Sequence, residues 1–345
     1  MKLNDCKEAV KAIIKFNLDQ EDRADFITPM LWSSPGLGKT EGVKQAIQEV
    51  AEEMDNNIKS ETFIVAQHDP MDLGGLPVID KENKTFSRAK GSFWDYPEDW
   101  KGVVMLDELP QSAPMVMNLM SQAILEGRFG EHKLPKGLMF ICMGNPITSA
   151  AATNPMPSHL RNRLTHFDID IDAEAFLEWA TKNGKSHLIT GFIRYRPEFL
   201  SKFKKDANAY PSPRAWNKVD SIIRAITDHH LRSHAIKGTV GEGACADFMG
   251  HLRVADQMPD PQLILKDPLN VEVPADPPVL YAVCSALSAF AKTSTVKNMF
   301  TYINRFENKE FGVFTVRDML NRNPDLRSNK DVTSWLMSQG RELML

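Results

Sequence analysis

Ser33-Ser34-Pro35-Gly36-Leu37-Gly38-Lys39-Thr40 is the stretch from which the rest of the chain is read. It follows an apolar, strand-prone run at 27–32 and opens a helix-prone segment at 41–52. A loop of this composition between a strand and a helix is a phosphate-binding loop in its expected context. Glycines let the backbone curl so that its N–H groups face an anion at a helix N-terminus. Lys39 can then reach the terminal phosphates and the Thr40 hydroxyl can ligate Mg²⁺. The candidate cradle is therefore Ser34, Pro35, Gly36, Leu37, Gly38, Lys39 and Thr40. The strict pattern opens with Gly, and here that position is Ser33, which must tolerate whatever backbone angle Gly would supply.

Downstream, Gly102-Val103-Val104-Met105-Leu106-Asp107-Glu108 is an apolar strand ending in two carboxylates. Asp107 would complete a metal site with Thr40, holding the ion through water, and Glu108 would polarise the attacking water. A further strand at 138–143 ends in Gly144-Asn145-Pro146, where the uncharged Asn145 amide can orient that water without adding charge. Leu160-Arg161-Asn162-Arg163-Leu164 precedes the last expected strand. An Arg delivered from here to a neighbouring γ-phosphate would accelerate transfer by roughly 10³ to 10⁵. Arg163 and Arg161 both stand as candidates. Tyr210-Pro211-Ser212-Pro213-Arg214-Ala215-Trp216 places Arg214 at the first turn of a later helix, from which it could sense nucleotide across a domain interface.

The organisation around these motifs is that of an α/β core followed by helices. Strands are expected at 27–32, 62–66, 103–106, 138–143 and 166–169, with a hairpin at 76–87 turning at 81–84 and inserted into the core. From 173 onward helical periodicity replaces strands, as with Trp216, Val219, Ile222, Ile223 and Ile226 on one face. Two domains are expected, 1–171 carrying the inserted hairpin (about 74–90) and 172–345 all-helical. Six prolines between 258 and 278 predict a loop or linker there, and 279–306 reads as one long helix.

Composition narrows the class. With 345 residues, 42% hydrophobic and 25% charged, the chain is long enough for two packed cores and unlike a disordered or disulfide-scaffold sequence. A formal charge of −4 supplies no global positive field for polyanions. The four cysteines form no CxxC pair, which fits a reducing compartment and a cytoplasmic reading. No apolar run reaches the length of a membrane span. His230 and His234 share i, i+4 spacing beside His229 but follow no zinc pattern, so a polar helix face is expected. Trp94, Tyr96 and Trp100 lie among Arg88, Lys90 and Lys101, a basic-aromatic cluster that could stack bases, although Asp95, Glu98 and Asp99 cancel its charge. Met115, Met117, Met120 and Ile124 are assigned to core.

Together these elements resemble the AAA+ ATPases, and within them the MoxR-like group. The resemblance rests on 35–40, on Asp72-Leu73-Gly74-Gly75-Leu76-Pro77, on Leu106-Asp107-Glu108-Leu109, on Leu125-Glu126-Gly127-Arg128, on Gly144-Asn145-Pro146 and on Ser212-Pro213-Arg214-Ala215. It implies an α/β P-loop NTPase (AAA+) fold: a parallel five-stranded sheet core, a C-terminal all-helical lid and a helical extension. It further implies ATP and Mg²⁺ as cofactors and hydrolysis of ATP to ADP and phosphate. Lys39 and Thr40 would act on phosphate and metal, Asp107 and Glu108 as Walker B, Asn145 as sensor 1, Arg214 as sensor 2 and Arg163 as arginine finger, with Arg161 its alternative. The hairpin resembles the insert that faces the central pore of such assemblies. A homo-oligomeric ring, expected as a hexamer, would remodel a protein partner, in this group often one bearing a von Willebrand factor A domain. The competing reading is an ATP-driven nucleic-acid motor.

Overall fold

The computed structural model describes residues 1–54, 57–91, 94–146, 154–204, 207–255 and 257–340. Two compact units divide the chain, Met1–Ile171 and Asp172–Leu345.

In the first unit the order is α1 (Leu3–Leu18), β1 (Pro29–Trp32), α2 (Lys39–Glu53), β2 (Lys59–Ile64), α3 (Pro70–Gly74), β3 (Pro77–Asp80) and β4 (Thr85–Arg88). There follow β5 (Gly102–Asp107), α4 (Pro114–Glu126), β6 (Arg128–Phe129), β7 (His132–Lys133), β8 (Leu138–Gly144), α5 (Ser158–Arg161) and β9 (Thr165–Asp168). Five strands form one parallel sheet in the order β2-β5-β8-β1-β9. Alternating side chains build two cores. Leu31, Val103, Met105, Met139, Ile141 and Met143 pack with α1 and α2 residues such as Val10, Ile14, Ala46 and Ile47. Their neighbours Met30, Val104, Leu106, Phe140 and Cys142 pack instead with Met117, Met120 and Ala123 of α4. The result is the expected α/β core, a five-stranded parallel sheet covered on both faces by helices. Its strand order places β1 between β8 and β9 and brings the C-terminal ends of β1, β5 and β8 side by side.

Two expectations shift in this unit. The second strand runs Lys59–Ile64 rather than 62–66, because the apolar Val65 turns into a 3₁₀ segment and is buried there. As an edge strand, β2 takes its place through backbone pairing from Lys59↔Gly102 to Ile64↔Asp107 rather than through an apolar run. Met115 is 67% exposed, whereas Met117, Met120 and Ile124 are core, since only one side of α4 faces the sheet.

The second unit contains α6 (Ala173–Lys182), α7 (His187–Tyr195), α8 (Pro213–Ala225), α9 (His229–Val240), α10 (Glu242–Ala255), α11 (Pro261–Lys266), α12 (Pro277–Phe290), α13 (Val296–Ile303), α14 (Glu310–Arg322) and α15 (Lys330–Trp335). No strand occurs among its described residues. The proline-rich segment is not a plain linker: Pro261 sits in the first turn of α11 and Pro277 opens α12, positions where a missing N–H is harmless. The long helix expected at 279–306 is two helices. Between them Thr295 Oγ1 accepts the Lys292 N–H at 3.0 Å and donates to its carbonyl at 3.3 Å, a local competitor for helical bonds. No helix of the described residues is long and apolar enough to cross a membrane.

Candidate active site

The loop between β1 and α2 is shaped by two left-handed glycines, Gly36 (φ 82°) and Gly38 (φ 86°). Gly38 is the N-cap residue of α2, so the helix begins at Lys39 with its first N–H groups directed toward the loop. Ser33 is not among the residues with positive φ, so replacing Gly there introduces no left-handed strain. It is buried, and its N–H donates to the Gly144 carbonyl at 3.3 Å, tying the loop to the end of β8.

Lys39 is also buried. Its Nζ donates to the Ser33 carbonyl, to Ser33 Oγ and to Asn145 Oδ1, each at 2.9 Å. These neutral oxygens supply orientation. With Oδ1 engaged, Asn145 offers the two N–H donors of its carboxamide to a phosphate or a water. Thr40 Oγ1 donates to Asp107 Oδ2 at 2.9 Å. A hydroxyl and a carboxylate in contact, one turn from an amide-lined loop, are the hard oxygen donors magnesium takes alongside substrate phosphates, so the residues present fit that ion.

Glu108 follows Asp107 and is exposed, with its backbone left-handed at φ 57°, ψ 29°. Its N–H donates to Asp107 Oδ1 at 2.9 Å. Gln111 is a residue the sequence reading missed. Its carboxamide lies between the two strand ends, and turned with its oxygen toward the Asn145 N–H, as the surrounding donors and acceptors favour, it accepts that N–H at 3.0 Å and donates to the Glu108 carbonyl at 3.3 Å. Nothing in a Gln three positions after the acidic pair signals this, because the bridge exists only once β5 and β8 are neighbours.

Residues 33–40, Asp107, Glu108 and Asn145 thus meet at the ends of three adjacent strands. Arg161 and Arg163 do not touch them. Both are exposed at the close of α5, lining an open cleft of about 810 Å³ with Trp32, His159 and His166. Arg214 belongs to the second unit, exposed on the first turn of α8, which Ser212 caps by accepting the Ala215 N–H at 3.1 Å.

The weaker constellations settle otherwise. Trp94 and Trp100 are buried in the core beneath β5, and Tyr96 Oη donates to Glu61 at 2.7 Å, so these rings are packing rather than a stacking surface. His229, His230 and His234 are exposed on α9, and no group of three metal-ligating side chains occurs among the described residues.

No family model and no curated protein matches the sequence. Solved structures show distant likeness. NtrX from Brucella abortus is 14% identical with a TM-score of 0.34, covering 69% of this chain and 50% of its own. PCH-2 from C. elegans is 13% identical (TM-score 0.37), covering 72% of this chain and 66% of its own. RuvB from Thermotoga maritima is 16% identical (TM-score 0.35), covering 81% of this chain and 82% of its own. The chain thus spans half the length of the NtrX chain and about two thirds of PCH-2. The strand order and loop geometry carry the fold by themselves.

Proposed function

We propose that this chain is a Mg²⁺-dependent ATPase of the AAA+ type, MoxR-like, that assembles into a ring, as a hexamer, and uses hydrolysis to remodel a protein partner. The observation that carries the reading is the meeting of Lys39, Thr40, Asp107 and Asn145 through hydrogen bonds of 2.9 Å, beside a glycine-curled helix start. Amides of 36–40 and the Lys39 ammonium would bind the β- and γ-phosphates. Thr40 and Asp107 would hold magnesium, which when bound neutralises charge on the phosphate oxygens. Glu108 takes a proton from the attacking water as its oxygen bonds to the γ-phosphorus and the bond to the ADP oxygen breaks. Asn145 orients that water. Arg163, or Arg161, would stabilise the transferring group on a neighbouring subunit, and Arg214 would respond to nucleotide from the helical unit.

A protein client is favoured over nucleic acid by the inserted hairpin. Leu76, Val78, Ile79 and Phe86 are all more than half exposed on it, and Ile79 pairs directly across from Phe86. An apolar surface of this kind suits polypeptide. The family resemblance extends the proposal to a partner with a von Willebrand factor A domain.

The test is a pair of variants. Lys39→Ala should lose ATP binding measured by calorimetry. Glu108→Gln should bind ATP like the parent and hydrolyse it about 100-fold more slowly, as loss of a general base implies. Parental turnover by Glu108→Gln would contradict the assignment.

A further inference from the structure

We propose that His166 is a positioning residue that links a subunit's own nucleotide loop to the arginines it offers its neighbour. This rests on the arginine-finger reading above. β1 and β9 are adjacent parallel strands with Met30 opposite His166 and Trp32 opposite Asp168. Trp32 immediately precedes Ser33, whose carbonyl accepts from Lys39 Nζ at 2.9 Å. The Trp32 indole Nε1 lies 2.8 Å from His166 Nδ1, and the two rings lie edge to edge and nearly coplanar, with centroids 6.0 Å apart and an interplanar angle of 12°.

Chemistry fixes the direction of this bond. An indole nitrogen is a donor only, so His166 Nδ1 must accept. The neutral ring then carries its proton on Nε2, and Nε2 lies 2.8 Å from the Arg161 carbonyl, an acceptor. Both bonds are satisfied by a single tautomer. The Arg161 carbonyl ends α5 and is among those a helix terminus leaves without an intrahelical partner. Its other bond, from the Leu164 N–H, is long at 3.5 Å. The imidazole is thus the strong contact that fixes the backbone from which Arg161 and Arg163 project.

Arg161, Arg163 and His159 surround the cleft, and among the described residues no carboxylate lines it. Its chemistry is that of an anion site, and in the proposed ring the anion is the neighbour's terminal phosphate. A side chain misplaced by about 1 Å costs on the order of 100-fold in rate, so the hold on this segment bears on turnover rather than on binding of the subunit's own ATP.

Steady-state hydrolysis by the full chain tests this with three variants. His166→Phe keeps a planar ring of similar size and loses both hydrogen bonds, Trp32→Phe removes the donor, and His166→Gln keeps one acceptor and one donor. His166→Phe and Trp32→Phe should each lower kcat about tenfold with the KM for ATP within about twofold of the parent. His166→Gln should retain at least about half the parental kcat, a rescue that bulk packing would not give. Parental kcat in His166→Phe, or equal loss in His166→Gln, overturns the assignment. Parental turnover in both Arg161→Ala and Arg163→Ala would instead overturn the finger reading itself, and the dependent role of His166 with it.

Discussion

Glu108 is one of two described non-glycine residues with left-handed backbone, a conformation that costs about 1–3 kcal/mol and persists only where neighbours impose it. Here the neighbours are identifiable. Asp107 Oδ1 holds its N–H, while its carbonyl accepts the Gln111 N–H at 3.0 Å and the Gln111 carboxamide at 3.3 Å. The same carboxamide reaches the Asn145 backbone, so Gln111 sets the spacing between the residue assigned to activate water and the residue assigned to orient it. Gln111→Ala should therefore lower kcat about tenfold while leaving ATP affinity within about twofold. Hydrolysis and calorimetry on the same preparation check this, and an unchanged kcat would remove the bridge from the account.

At the scale of elements, the hairpin β3–β4 is held at its base by a close approach that only glycine permits. Gly75 has φ 77°, and a Cβ there would lie 2.0 Å from the Ala89 carbonyl oxygen. Arg88 Nη1 donates to the Gly75 carbonyl at 3.0 Å, and its N–H donates to Glu131 at 2.8 Å beside the β6–β7 hairpin. Gly75→Ala should loosen the insert, costing roughly 1–3 kcal/mol. The expected readout is faster tryptic cleavage after Lys81 or Lys84 with ATP binding retained; unchanged cleavage would show that the base is not what holds the hairpin. This hairpin was legible in advance because two apolar runs flank a polar turn, and Asp80 indeed closes that turn by accepting the Glu82 and Asn83 N–H groups. The β6–β7 hairpin was not, since two-residue strands leave no period to read. The break after α12 was missed although a polar run, Lys292-Thr293-Ser294-Thr295, marks it; the Thr295 hydroxyl takes the Lys292 N–H there. Among site residues, those in sequence motifs could be named beforehand. Gln111, Trp32 and His166 could not, because their partners are assigned by strand register.

Across the whole molecule, stability and pH are coupled through the helical unit. His251 is buried with neither ring nitrogen hydrogen-bonded among the described residues, and burial pulls its pKa down to about 4. Burial, and then the Arg322 charge, lower His187 to about 4 as well. Unfolded histidines titrate near 6.5, so between pH 6.5 and 4 the unfolded chain binds more protons and stability falls. Stability is complete above pH 6.5, and each histidine withdraws up to roughly 3 kcal/mol on acidification through that window. Melting temperature measured from pH 7.5 to 5 should drop accordingly, with a shallower drop in His251→Phe; a flat profile would contradict it.

The central claim is that a triphosphate sits on the amides around Gly36 to Thr40 with magnesium between it and Asp107. The most direct measurement is a crystal structure of the protein grown with Mg²⁺ and a slowly hydrolysed ATP analogue. The account predicts the β- and γ-phosphates in that loop, in contact with Lys39, and the ion beside Thr40 and Asp107. A loop left empty at saturating analogue, or nucleotide bound elsewhere on the chain, would contradict it.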